Sequence, residues 1–87
     1  MKVIDDIYRG FADFEDKNIS VEDVIEQSNM GPAVKQVAMR MFIEYRLGRK
    51  VSLEDLCNEF SYVKSGLVSK LQIIRVNLPC IVTGKPL

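Results

Sequence analysis

The sequence predicts an all-α fold, a small helical bundle of about five helices that contains a helix-turn-helix. Apolar residues recur at steps of three and four along most of the chain, which is the spacing of amphipathic helices. Residues 19–24 and 51–56 share an aliphatic residue, a serine and two acids in the same order, the pattern of a capped helix N-terminus. Gly31-Pro32 and Pro79 supply breaks between or after helices.

A chain of 87 residues is expected to form one domain. We divide it into acidic N-terminal helices over 1–31, a basic helix-turn-helix half over 32–79 and a short tail over 80–87. The net charge of zero conceals this division, because residues 1–32 carry −5 and residues 33–87 carry +5. Such asymmetry is typical of a chain in which one part meets a polyanion, although the two halves could also simply attract each other within the fold.

The first predicted helix, about residues 2–15, has an aromatic-rich apolar face. Its members are Val3, Ile4, Ile7, Tyr8, Phe11 and Phe14. A stripe of this kind usually belongs to the core, but on so small a chain it could also be half of a dimer interface. The second helix is expected to begin after Ser20, with Ile19 and Val24 as a hydrophobic staple, and to end near Asn29 before a glycine terminator, Gly31.

The third predicted helix runs from Pro32 to Leu47 and ends at Gly48. We expect it to be the longest and most hydrophobic helix and the centre of the packing. Its apolar face consists of Val34, Val37, Ala38, Met41, Phe42 and Tyr45.

Residues 51–78 carry the spacing of a helix-turn-helix. The first helix has Leu53, Leu56 and Phe60 on its apolar face and Cys57 as the small residue at the helix crossing. Residues 61–64 form the predicted turn, one residue longer than usual, with Val63 pointing inward. Ser65 is expected to cap the second helix and Pro79 to end it. The buried set of that helix is predicted to be Leu67 or Val68, then Leu71, Ile74 and Leu78.

Candidate DNA contacts lie on the exposed side of this second helix. Hydroxyls, amides and ammonium groups reach base edges and phosphates, and the helix carries all three kinds. They are Lys64, Ser65, Ser69, Lys70 and Gln72, while Arg46, Arg49, Lys50 and Arg75 are candidates for phosphate contacts. Cations after a helix C-terminus are also favoured by the helix dipole, so the cluster at residues 46–50 has a structural explanation of equal weight.

Several classes of protein are disfavoured by composition. The chain has no histidine and no glycine-rich phosphate loop, so we expect no enzyme and no cofactor. The two cysteines, Cys57 and Cys80, fit no metal spacing and are too few for a disulfide scaffold. Early acids interrupt any signal peptide, and no apolar run is long enough to span a membrane. A reduced, cytoplasmic setting is the simplest expectation.

A family resemblance rests on a series of short features. They are Glu44-Tyr45, Gly48, Leu56-Cys57-Asn58-Glu59-Phe60, Ser65-Gly66-Leu67-Val68-Ser69 and Ile74-Arg75-Val76-Asn77. With these features, residues 42–77 resemble the PapB-type regulators of fimbrial adhesin operons, with a length adjustment in the turn and another in the second helix. Residues 1–32 have no counterpart in that family. The resemblance implies a small bacterial cytoplasmic regulator that oligomerises along AT-rich DNA.

Two functions follow as hypotheses. The first is a transcriptional regulator that binds double-stranded DNA through the second helix of the motif, as a homo-dimer or oligomer. The second is a protein-binding module, an antagonist or co-regulator, that acts through the acidic N-terminal helix with Tyr8, Phe11 and Phe14. Deletion of residues 1–15 distinguishes the two, because loss of partner capture with DNA affinity intact would favour the second hypothesis.

Overall fold

Five α-helices and no strand make up the part of the chain whose backbone the computed structural model describes, residues 2–83; side chains are described for residues 2–78. The helices are α1 (Lys2–Asp16), α2 (Val21–Gln27), α3 (Pro32–Arg46), α4 (Leu53–Phe60) and α5 (Lys64–Thr83). The predicted all-α architecture of about five helices is thereby confirmed. Within 2–83, none of the helices is both long enough and apolar enough to cross a membrane.

The central element is α5, which packs against all four other helices. Its inner row is Leu67, Leu71, Ile74 and Leu78, each at most 1% exposed, so the predicted buried set is confirmed with Leu67 in place of Val68. The expectation that α3 would be the longest helix is wrong, because α5 has 20 residues and α3 has 15.

The expectation that Pro79 would end α5 is also wrong, since the helix continues to Thr83. A proline inside a helix removes one backbone hydrogen bond. Tertiary packing just before it offsets this cost, because Leu78 is buried against α1, close to Gly10. The predicted tail therefore begins as helix, and residues 84–87 lie outside the described part of the chain.

The aromatic face of α1 belongs to the core. Phe11 and Phe14 are completely buried, and Tyr8 is half-buried. The Phe11 ring lies 5.3 Å from Phe42 and 5.5 Å from Tyr45 between centroids, while Tyr8 meets Tyr45 edge-on at 5.6 Å. Tilted and edge-to-face contacts of this kind add to the burial of apolar area. The first helix is thus joined to α3 by its aromatic residues.

The two serine caps predicted from the repeated pattern at residues 19–24 and 51–56 are present. The Ser20 hydroxyl accepts a hydrogen bond from the backbone N–H of Asp23 at 3.3 Å, and Ser52 accepts one from Asp55 at 3.1 Å. Each cap satisfies one of the donors that the first turn of a helix leaves without a partner. The repeated sequence pattern therefore marks two helix starts.

The junction between α2 and α3 differs from the prediction. Helix α2 ends at Gln27, and the Ser28 hydroxyl donates to the carbonyl of Ile25 at 2.7 Å. Gly31 is extended, with φ of −66°, and serves as the N-cap of α3 rather than as the terminator of α2. Pro32 occupies the first turn of α3 as predicted, because its missing N–H is not needed there.

Three helices end in a residue of left-handed conformation: Asn18 after α1, Gly48 after α3 and Ser61 after α4. At the end of α3, the N–H of Arg49 donates to the carbonyl of Glu44 at 2.9 Å, which completes a Schellman motif. Gly48 therefore ends α3 as predicted, and the chain turns into the basic loop that precedes α4.

Candidate nucleic-acid interface

The connection between α4 and α5 has three residues, not the predicted four. The carbonyl of Val63 accepts the first helical hydrogen bond, from the N–H of Leu67 at 3.0 Å, so α5 begins two residues earlier than a cap at Ser65 would allow. Ser65 is consequently inside the helix, and the prediction that it caps α5 is wrong. Its exposed hydroxyl is free to face a ligand.

Val63 is 72% exposed, so the prediction that it points inward is also wrong. The left-handed conformation of Ser61, with φ of 60°, reverses the chain and turns the next side chain toward α4. Tyr62 takes the inner position, with its ring stacked on Phe60 at 5.9 Å between centroids. Both aromatic side chains are half-buried and close the corner between the two helices.

The outer face of α5 carries a polar stripe. Ser65, Ser69 and Gln72 are exposed and recur at steps of four and three, so they share one side of the helix, opposite the buried row that begins at Leu67. By the same helical geometry, Lys64 and Arg75 lie along one flank of this stripe and Lys70 lies along the other. No acidic residue follows Glu59 in the sequence.

Two of the flanking cations are held in place by neighbours. The Lys70 ammonium lies over the Tyr62 ring, 4.3 Å from its centroid, which is a cation–π contact. Arg75 donates to the side-chain oxygen of Gln72 from both Nε and Nη2, at 3.0 and 2.7 Å. Lys64 lines a shallow groove together with Cys57 and other residues of α4. These contacts hold the cations beside the polar stripe.

The basic loop after α3 is organised differently, because its cations contact acids and a ring. Lys50 forms an ion pair with Asp5 of α1. The Arg49 guanidinium lies 3.7 Å from the carboxylate of Glu44. Arg46 is placed over the Phe42 ring, 5.8 Å from its centroid. Six of the nine predicted contact residues therefore lie on α5. The charges of the other three, Arg46, Arg49 and Lys50, already have intramolecular partners.

A buried carboxylate, which the sequence did not single out, fixes this loop. Glu44 is 7% exposed, and its Oε1 lies 3.1 Å from Arg40 one helical turn earlier. Arg40 also donates to Glu59 of α4 at 2.8 and 3.0 Å, which raises the pKa of the Arg40 guanidinium. The Oε2 atom of Glu44 is buried and accepts no hydrogen bond from the described residues. An arginine and a glutamate four residues apart were the only hint in the sequence.

The acidic half of the chain directs most of its charge outward. Within residues 2–78, Lys50–Asp5 is the one ion pair that joins the first 32 residues to the remainder. Six exposed acids of this half form no ion pair with the described residues: Asp13, Glu15, Asp16, Glu22, Asp23 and Glu26. Few of the opposite charges of the two halves are therefore used in ion pairs between them.

Comparisons with known proteins found no matching family model, no similar curated protein and no similar solved structure.

Proposed function

We propose that the protein is a transcriptional regulator that binds double-stranded DNA, with α4 and α5 acting as a helix-turn-helix. The observation that carries the proposal is the outer face of α5, where Ser65, Ser69 and Gln72 form an exposed polar stripe with cations on both flanks. A helix in the major groove meets base edges along its centre and phosphates on either side. The arrangement on α5 matches that requirement.

The absence of acidic residues supports the same outer face of α5 as the DNA interface. A helix that approaches DNA is repelled by carboxylates, and residues 60–87 have none. Lys64, Lys70 and Arg75 supply three positive charges that the described side chains do not neutralise with an acid. The loop cations Arg49 and Lys50 contribute less in this proposal, because DNA would have to displace Glu44 and Asp5 from them.

The resemblance of residues 42–77 to PapB-type regulators rests only on the short features quoted above, since no family model matches the chain, and it gives bacterial operon control as the proposed setting. The alternative of a protein-binding module that docks through α1 has less support. Two of the three aromatic residues named for that role, Phe11 and Phe14, are completely buried. The Tyr8 hydroxyl is bonded to the backbone of the basic loop.

Salt dependence is the direct test. If three cations contact phosphates, the logarithm of the affinity should fall with a slope of about −2.7 against the logarithm of salt concentration. Raising salt from about 50 to about 200 mM should then weaken binding about 40-fold. Fluorescence anisotropy with a labelled AT-rich duplex of about 30 base pairs measures both quantities.

Variants locate the contact. Replacing Lys64 or Lys70 with alanine should weaken binding and reduce the salt slope by about 0.9 for each cation removed. Lys17→Ala is the matched control, because Lys17 is an exposed cation in the α1–α2 turn, beside the acidic end of the molecule. Absence of salt-sensitive binding, or equal losses in Lys17→Ala and Lys70→Ala, would contradict the proposal.

A further inference from the structure

An apolar groove on the outside of the bundle lies where α2, α3 and the end of α4 meet. Its apolar lining is Ile25, Pro32, Met39, Ile43 and Phe60. Ile43 is 48% exposed. The groove is open to solvent, and its charged lining residues are Glu26, Lys35 and Arg40. An open apolar channel of this kind suits the apolar side of a helix.

The same chain offers a helix with an exposed apolar stripe. Ile73 and Val76 are one turn apart on the outer face of α5, and they are 42% and 57% exposed. They follow the polar stripe that ends at Gln72, so α5 changes from a polar to an apolar outer surface along its length. The fold buries the opposite side of α5 and leaves these two side chains outside the hydrophobic core that the described residues form.

We propose that the Ile73–Val76 stripe of one copy packs into the α2–α3–α4 groove of a second copy. Charge favours this pairing. The stripe is flanked by Lys70 and Arg75, and no acid lies on α5. The groove is bordered by Glu26, and the exposed Glu22 lies one turn before it on α2.

The groove edge also carries two cations, Lys35 and Arg40, and both have partners within the fold. The Lys35 ammonium donates to the carbonyl of Glu26 at 2.7 Å. Arg40 is paired with Glu59 at 2.8 Å and with Glu44 at 3.1 Å. The carboxylates of Glu22 and Glu26 form no ion pair with the described residues, so they are available to Lys70 and Arg75 of the other copy.

This contact shares Lys70 and Arg75 with the DNA interface proposed above, but the Ile73–Val76 stripe and the groove lie outside that interface, so self-association is measured without DNA. Because two aliphatic side chains bury little area, the association is weak and requires high protein concentration. Sedimentation velocity between about 10 and 500 μM measures it directly on the full chain without DNA. The wild-type protein should shift to larger species over this range, and less so at high salt, because the flanking charges are screened.

Two variants separate the surfaces. Ile73→Gln/Val76→Gln removes the stripe, and Ile43→Gln removes the centre of the groove; each should weaken self-association about tenfold or more. Val63→Gln and Leu47→Gln are the matched controls. Val63 and Leu47 are 72% and 59% exposed, and neither lies in the stripe or lines the groove. All four variants should retain the helical circular dichroism of the wild type.

Mixing identifies which surface meets which. The stripe variant keeps an intact groove and the groove variant keeps an intact stripe, so an equimolar mixture should associate at concentrations where each variant alone is monomeric. A mixture that stays monomeric overturns the proposal. So does a wild-type protein that is monomeric at all these concentrations, or a Leu47→Gln loss equal to that of Ile43→Gln.

Discussion

The hydroxyl of Tyr8 donates a 2.8 Å hydrogen bond to the backbone carbonyl of Arg49, and it accepts one from the N–H of Val51 at 3.2 Å. One side chain of α1 therefore holds both sides of the basic loop that leads into α4. The Lys50–Asp5 ion pair lies beside it. The loop is positioned by the acidic helix, which gives α1 a structural role in presenting α4 and α5.

Tyr8→Phe should lower the free energy of unfolding by about 1 kcal/mol, because two backbone groups of the loop lose a hydrogen-bond partner while the ring packing is kept. Urea unfolding followed by circular dichroism measures the difference. Tyr62→Phe is the matched control, since the Tyr62 hydroxyl makes no hydrogen bond to the described residues. Equal stability of Tyr8→Phe and wild type would show that the loop is held by other contacts.

Stability should also fall in alkaline solution. Burial raises the pKa of Tyr8 above its ordinary value of 10.0, and burial together with the hydrogen bond to Glu15 raises the pKa of Tyr45. Above pH 10 the unfolded chain loses these protons while the folded chain keeps them. The stabilisation is therefore complete below pH 10 and is lost as the pH rises through the folded-state pKa values.

Urea midpoints at about pH 9 and pH 11 test this dependence. The double variant Tyr8→Phe/Tyr45→Phe should start from a lower midpoint at pH 9 and lose less on going to pH 11, because it has fewer tyrosines to ionise on unfolding. Lysines also titrate in this range, but they are the same in both proteins. Parallel losses in the variant and the wild type would contradict the prediction.

The parts of the fold that followed from the sequence depend on short-range chemistry. Ser20 and Ser52 cap α2 and α4 by accepting from the N–H groups three residues later, at Asp23 and Asp55, and such contacts are visible in a window of four residues. The buried row of α5 follows from the helical period alone. Helix number, most boundaries and the core faces were therefore predictable.

The features of the fold that the sequence did not predict depend on distant residues or on a single backbone angle. The ion pair of Lys50 with Asp5 joins the loop after α3 to α1, which is distant in sequence, so the sequence around Lys50 suggested a cation available to DNA. The orientation of Val63 was set by the left-handed conformation of Ser61, which is uncommon for serine. Helix α5 continues past Pro79 because Leu78 packs on α1, although proline disfavours the interior of a helix.

Ser61→Gly should stabilise the protein by about 0.5 kcal/mol. The left-handed conformation costs a serine about 1 kcal/mol or more, and glycine avoids this cost but loses more freedom on folding. The change is measured as a shift in the urea midpoint. Ser69→Gly is the matched control, because Ser69 is an exposed serine inside α5, where glycine should destabilise the helix by about 0.5 kcal/mol. A loss of stability in Ser61→Gly would mean that the Ser61 hydroxyl makes a contact that stabilises the fold by more than the relief of backbone strain does.

Phe11→Ala should destabilise the protein by about 3–5 kcal/mol, because a completely buried ring that contacts Tyr8, Phe42 and Tyr45 is replaced by a cavity. A domain of this size has a total stability of about 5–15 kcal/mol, so the variant should unfold at markedly lower urea concentration. Ala12→Gly, at the neighbouring half-buried position, controls for the backbone and should cost about 1 kcal/mol. A small effect of Phe11→Ala would contradict the burial of this ring in the core.

Glu44→Gln should lower stability by about 1–2 kcal/mol, because Arg40 and Arg49 lose a nearly buried carboxylate. The loss of stability is limited, because Arg40 keeps its ion pair with Glu59. The side chain of Arg49 is largely exposed. Asp13→Asn, at an exposed acid of α1, should have little effect. A double-mutant cycle with Arg40→Met isolates the pair, and a coupling of about 1 kcal/mol is expected between residues in contact. Zero coupling would mean that Glu44 contributes through the packing of its methylene groups and not through its charge.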